Sequence, residues 1–207
     1  MKIKKLIPKS VRLFSSALVL TVLLTSCQPP HKLRPPNHSL SSEQPIDLEE
    51  ALRFIGEWCT DVTAISRAHA EGKDVLALAE KFLDEKYDYL NGPVLFKPTL
   101  GHGENTFRLS RRAALSYFIG GDSLYPDDSG FALKPWREAR FEIGKGKQGE
   151  VAWRTEGALA LIMGNVWFTD EQGNTTKVDK SWVLKRTEDG KLKIYLHMSS
   201  LPFTPKD

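Results

Sequence analysis

With 207 residues, 41% hydrophobic and 27% charged, the chain has the composition of a globular protein with room for one domain of moderate size. Its formal charge is +3, but Lys2, Lys4, Lys5, Lys9 and Arg12 all fall in the first twelve residues, so the remainder carries about −2 and gives no case for a nucleic-acid partner. Two cysteines, Cys27 and Cys59, exclude a disulfide-rich scaffold.

In chain order, the first predicted element is an address rather than structure. The basic n-region is followed by an apolar run from Leu13 to Leu24, too short to span a bilayer. Leu24-Thr25-Ser26-Cys27 has the form of a bacterial lipoprotein cleavage site, so residues 1–26 read as a signal peptide and Cys27 as the acylated new N-terminus. Gln28 after the cysteine fits sorting to the outer membrane, facing the periplasm. Residues 27–45 form a tether with two Pro-Pro pairs, expected to be extended, with His31 and His38 in solvent. Cys59 then has no intrachain partner and reads as a buried, inert thiol in a helix.

The domain occupies residues 46–207. Asp47, with Glu50 three residues on, caps a long helix whose stripe is Leu48, Leu52, Ile55, Cys59 and Val62, and Gly72 ends it. A second helix runs from Asp74 to Lys86 with Val75, Leu78, Ala79 and Phe82 inward. Asn91-Gly92-Pro93 breaks the pattern, and Val94 to Leu100 crosses as an irregular or short extended piece. Arg111 to Phe118 reads as a third helix, stopped by Gly120-Gly121. The period then changes to two. Strands are expected over Trp136–Ile143, Glu150–Thr155, Ala158–Thr169, Lys177–Arg186 and Lys191–Ser200, separated by turns at Lys145-Gly146, Gln172-Gly173-Asn174 and Asp189-Gly190. Helices first and antiparallel strands afterwards is an α+β plan. Strands this long in a small domain imply a cone: N-terminal helices packed in a strongly curved antiparallel sheet, with a pocket at its open end.

The last strand carries the chemistry. Strict alternation places Leu192, Ile194, Leu196 and Met198 on one face, and Lys193, Tyr195, His197 and Ser199 on the other. Ser200 follows, and Pro202 stops the ladder. An imidazole with ordinary pKa about 6.5 beside two hydroxyls suits a small polar pocket and proton transfer. Thr99 sits directly after Pro98, and Tyr117 lies near the end of the third helix. Gly144-Lys145-Gly146-Lys147 lacks the ending of a phosphate loop and reads as a hairpin turn. His69, His102 and His197 have no metal-type spacing.

Taken together, Phe96-Lys-Pro-Thr99, Ala114-Leu-Ser-Tyr-Phe-Ile-Gly-Gly121, Gly130-Phe-Ala-Leu-Lys-Pro-Trp136, Ala160-Leu-Ile-Met-Gly-Asn165, Phe168-Thr-Asp170 and His197-Met-Ser-Ser-Leu-Pro202 resemble iota-class carbonic anhydrases. These belong to the SnoaL-like, nuclear-transport-factor-2-like superfamily. The resemblance covers about Val94 to Pro202 well and the helical start loosely. It implies a cone-shaped homodimer that interconverts carbon dioxide and bicarbonate. It also implies a pocket built on Thr99 and Tyr117 with His197, Ser199 and Ser200 from the last strand. A site working without a metal is implied, with zinc or manganese the alternative. The family end usually reads His-His-Ser-Ser, and here Met198 replaces the second histidine. If the pocket uses Met198 and Ser200 rather than His197 and Ser199, a proton carrier has become a thioether.

Two other readings stand beside the enzyme. One is a non-catalytic lipoprotein of the same fold that binds a small anion or acts as a dimeric assembly module. The other is a different reaction in the same cone, such as an isomerase or dehydratase. Apolar residues on both faces of the strands (Val151 and Trp153 against Ala152, Trp182 and Leu184 against Val183) also favour a homodimer through the sheet.

Overall fold

Asp47 opens the first helix in the way its short acidic side chain predicts. In the computed structural model, which describes residues 44–205, its Oδ1 accepts the Glu50 backbone N–H at 2.7 Å, capping α1 (Leu48–Ala70). The signal peptide, Cys27 and the tether through residue 43 lie outside the described residues. Glu49 and Glu50 sit at the positive end of the α1 dipole. At the far end Lys73 N–H returns to the Ala68 carbonyl at 2.9 Å around Gly72, whose φ of 67° favours glycine. The buried face of α1 includes Ile55, Trp58, Cys59, Val62 and Ile65, while Leu48 and Leu52 are only half-buried at its edge.

In α2 (Leu76–Lys86) the inward residues are Ala79, Phe82, Leu83 and Lys86. That is an i, i+3, i+4, i+7 stripe, and it leaves Leu78 outside at 40% exposure, contrary to the expected inward position. The short extended piece is β1 (Leu95–Lys97), which pairs in parallel with the last strand, so an otherwise antiparallel sheet has one parallel edge. Ser110 Oγ caps α3 (Arg111–Ile119) by accepting Ala113 N–H at 3.2 Å. Gly120, at φ 66°, ends it, and an added Cβ there would lie 2.8 Å from the Asp128 carbonyl. Asp128 also accepts from the buried Arg108 guanidinium and from Ser116 on α3, both at 2.7 Å, which fastens the loop after α3 beneath that helix.

The rest of the sheet is β2 (Trp136–Ile143), β3 (Trp153–Glu156), β4 (Leu159–Asp170), β5 (Thr175–Arg186) and β6 (Leu192–Ser200), in the order β1-β6-β5-β4-β2, with β3 also paired to β4. β3 starts later than expected because residues 145–151 close their own small loop through the Lys145–Val151 bridge. Ala160, Ile162, Val166 and Phe168 of β4, with Val178, Trp182 and Leu184 of β5, face the helices. Trp58 of α1 packs edge-on against Phe168 and Trp182 at ring separations of 6.5 and 6.0 Å. Truncating such a buried indole to alanine costs about 3–5 kcal/mol.

One irregularity positions the site. Val183 of β5 lies opposite Leu196 of β6, yet Leu184 lies opposite Ile194, so Tyr195 is an extra residue, a β-bulge. The bulge corrects the expected alternation. Before it, Leu192 and Ile194 face the core; after it, His197 and Ser199 do. Leu196, expected to share a face with Leu192 and Ile194, turns away from them, as does Met198.

Candidate active site

The bulge brings His197 and Ser199 into the cone, each 1% exposed, and leaves Met198 on the outer face at 52% exposure. Ser200, half-buried at the strand end, alternates away from Ser199. The imidazole is held by rings on three sides. Phe96 stacks on it at 4.7 Å and 15°, Trp182 at 5.2 Å and 27°, and Trp58 meets it edge-on at 5.4 Å. Trp182 is its cross-strand partner, so the sheet register itself sets one of these contacts.

Both ring nitrogens are engaged. His197 Nδ1 lies 3.0 Å from the hydroxyl of Tyr87, which in turn accepts the Trp58 indole N–H at 3.0 Å. His197 Nε2 lies 3.0 Å from Lys180 Nζ and 3.0 Å from Ser199 Oγ, and Lys180 Nζ donates to Ser199 Oγ at 2.8 Å. Lys180 comes from β5 directly opposite Ser199 in the ladder. Burial, reinforced by Lys180, pushes the His197 pKa well below its ordinary value, so the ring is neutral near pH 7. Burial likewise pushes the Lys180 ammonium down to about 7, with a smaller push from Lys97 and a counteracting one from Cys59.

Beside this cluster lies a narrow crevice lined by Trp58, Phe96, Pro98, Tyr117, Phe118, Phe131, Lys180, His197 and Ser199, too thin as it stands to admit a water-sized molecule. Burial pushes the Tyr117 phenol well above its ordinary pKa, with the Thr99 hydroxyl and the Leu100 backbone beside it working the other way. Tyr117 therefore remains a proton donor throughout the neutral range. Thr99 Oγ1 is itself buried with no partner in hydrogen-bonding geometry. Of the five residues expected at the site, Tyr117, His197 and Ser199 meet at the crevice, Thr99 adjoins Tyr117, and Ser200 stands on the other side of the strand.

Among the described residues no group of three or more His, Cys, Asp or Glu side chains is placed to hold a metal ion. Burial pushes the Cys59 thiol up to about 12, which keeps it protonated and inert, as its place in α1 suggested.

The family described as metal-independent carbonic anhydrase matches residues 49–201. This chain belongs to that family. A metal-independent carbonic anhydrase from Nostoc sp. (strain PCC 7120 / SAG 25.82 / UTEX 2576) is 45% identical over 160 residues, 76% of this chain and 75% of the relative. The crystal structure of an iota-carbonic anhydrase from a cyanobacterium, complexed with bicarbonate, superposes with a TM-score of 0.74 at 41% identity, over 79% of this chain and 96% of that one.

Within this metal-independent carbonic anhydrase, sequence reasoning missed Lys180, Tyr87 and Trp58. Lys180 carried a readable signal. Val178, Lys180, Trp182 and Leu184 alternate on one face of β5, so a lysine stands where the period asks for an apolar residue. Tyr87 and Trp58 carried none. They reach His197 only through the packing of α1 and the residue after α2 against β6, where Tyr87 bridges to Ile194.

Proposed function

We propose that this chain catalyses the interconversion of carbon dioxide and bicarbonate in the crevice bordered by Tyr117, His197 and Ser199. The observation that supports this most is the buried polar cluster of His197, Ser199 and Lys180 opening on that crevice. Hydroxyls of Thr99, Tyr117 and Ser199 hold the substrate oxygens. Their dipoles favour the negative charge that develops as water attacks carbon dioxide, and being fixed by the fold they need no reorganisation at that moment. The Thr99 hydroxyl is buried beside the Tyr117 phenol without a partner in hydrogen-bonding geometry, a polar group that substrate would satisfy. Neutral His197, fixed between Phe96 and Trp182, orients Ser199. The family's metal independence agrees with a site whose chemistry rests on positioning and proton transfer. Stopped-flow hydration by the purified, chelator-treated protein tests this. Turnover above buffer is expected, and rates at the buffer level would return the chain to the anion-binding reading.

The cellular context is part of the proposal. Cys27 is the acylated N-terminus, and the tether holds the domain at the outer membrane on its periplasmic side. The basic n-region, the apolar run and Leu24-Thr25-Ser26-Cys27 support this reading. Cys27→Ser abolishes membrane retention if it is right; unchanged fractionation with retained lipid labelling contradicts it. The domain pairs as a homodimer through the outer face of the sheet. There Leu161, Val183 and Leu196 form one cross-strand row, and Met163 and Met198 flank Ser181 in the next. Leu161, Met163, Met198 and the bulged Tyr195 are all exposed. Light scattering showing a monomer at micromolar concentration would contradict this.

A further inference from the structure

Lys180 is the one polar group of the cluster that the mechanism above leaves without a task. It is 5% exposed, and its hydrogen bonds go to His197 and Ser199, neither of which is a carboxylate. A buried ammonium without a counter-charge is costly, so the state of this nitrogen requires explanation.

Hydrogen-bond accounting gives one. The Trp58 indole is a donor only, and it donates to the Tyr87 oxygen. The acceptor within reach for the Tyr87 proton is His197 Nδ1. With Nδ1 accepting, the neutral ring carries its proton on Nε2, the nitrogen that faces Lys180 and Ser199. An ammonium has three donors and no acceptor, and would set N–H against N–H at 3.0 Å. A neutral amine resolves this, because its lone pair accepts either the Nε2 proton or the Ser199 hydroxyl proton. The donor-only indole thus sets the tautomer of His197, and the tautomer sets the charge of Lys180.

We propose that Lys180 is the general base of hydration: its neutral amine takes the proton of the water that attacks carbon dioxide, directly or through the Ser199 hydroxyl. This rests on the hydration reading of the preceding subsection. In the step, a water lone pair forms the new C–O bond and one C=O π pair moves onto oxygen. The water O–H bond breaks with its electrons staying on oxygen, and the proton forms the third N–H of Lys180. Carbon dioxide, water and amine become bicarbonate and ammonium. In dehydration the ammonium returns the proton to the hydroxyl oxygen of bicarbonate, which leaves as water.

The surroundings suit both states. At rest, burial favours the amine; Cys59 on α1 works the other way, and the like charge of Lys97 on β1 adds the smallest push, toward the amine. The other titratable groups facing the cluster, His197, Tyr87 and Tyr117, are neutral near pH 7. On β4 its ladder partner is Gly164, which brings no charge. Once formed, the ammonium lies over the Trp58 ring, 4.8 Å from its centroid, and beside the anionic product. His197, pushed well below neutrality and committed to Tyr87 through Nδ1, is the poorer base.

The test compares wild-type protein with Lys180→Gln across about pH 5.5 to 9, measuring carbon dioxide hydration by stopped flow. Wild-type kcat/KM is expected to fall about tenfold per pH unit below about 7. Lys180→Gln is expected to lose about 10²–10⁴-fold in kcat and to lose that pH dependence, with KM for carbon dioxide changed far less. An active wild type whose Lys180→Gln variant keeps the same profile overturns this inference and leaves the hydration reading standing. A wild type without hydration overturns both. Should Lys180→Gln fail to fold, lysine side-chain NMR of the wild type decides: one amine titrating near 7 supports the base, and all lysines titrating above about 9 overturn it. A lysine carbamate signal under labelled carbon dioxide overturns it as well, because the lone pair is then spent on carbon.

Discussion

Thr99→Val should separate stability from catalysis in a single variant. Valine keeps the shape of threonine and deletes a hydroxyl that is buried without a partner in hydrogen-bonding geometry. Burying such a group unpaired costs about 1–3 kcal/mol, so its removal should leave stability unchanged or raise it by up to that amount. At about 2–4 °C per kcal/mol for a domain of this size, the melting temperature should stay level or rise by up to roughly 10 °C. Hydration should move the other way. Losing one preorganised donor to the developing oxyanion costs about 10²–10³-fold in kcat. Calorimetry and stopped-flow hydration on the same preparation measure both. A melting temperature several degrees lower with hydration intact would mean that the hydroxyl serves the fold, and would refute the reasoning.

Tyr87→Phe should be strongly destabilising. It orphans two buried groups at once, the Trp58 N–H and His197 Nδ1, at about 1–3 kcal/mol each by chemical denaturation; a loss under about 0.5 kcal/mol would break the proposed chain of donors. Met198→His should change hydration less than about threefold, because the side chain projects from the face opposite His197; a gain of tenfold or more would place it in the pocket. Stability should rise from about pH 7 to about 9. Lys180 is pushed down to about 7 in the fold from 10.5, so over that range the unfolded chain binds the extra proton. Above about 9 the buried Cys59 thiol, pushed up to about 12 from 9.0, works the opposite way. The urea midpoint should follow this rise in the wild type and lie flat in Lys180→Met.

Most of the secondary structure was legible because its causes are local. Asp47 with Glu50, the stripe of α1, the glycines after α3 and the change to period two each act within a few residues. Tyr195 was not legible. Alternation assumes one residue per pleat, and the pairing that forces an extra residue is made with Val183 and Leu184, far away in sequence. Hence His197 and Ser199 were correctly grouped together but assigned the wrong companions. Lys180 was visible as a charge in an apolar phase, yet a lysine on a strand is usually solvated, and only its burial opposite Ser199 gives it meaning. Tyr117 and Thr99 were placed near each other by resemblance; the pattern alone offered a core aromatic and a loop hydroxyl.

The bulge at Tyr195 acts on β6 as a frameshift acts on a message. Upstream, every second residue is spelled for the core; downstream, every second residue is spelled for the crevice, and the two spellings are out of phase by one. Removing Tyr195 would take out the extra residue itself, so Leu196 would follow Ile194 in regular alternation and His197 and Ser199 would still face the crevice. A strand that kept Tyr195 but paired it in the regular ladder would instead present Met198 and Ser200 to the crevice, and so erase the site without replacing any of its residues. The register of β6 on β5 therefore decides which side of the strand end makes the site, and the letters at positions 197 to 200 do not decide it alone.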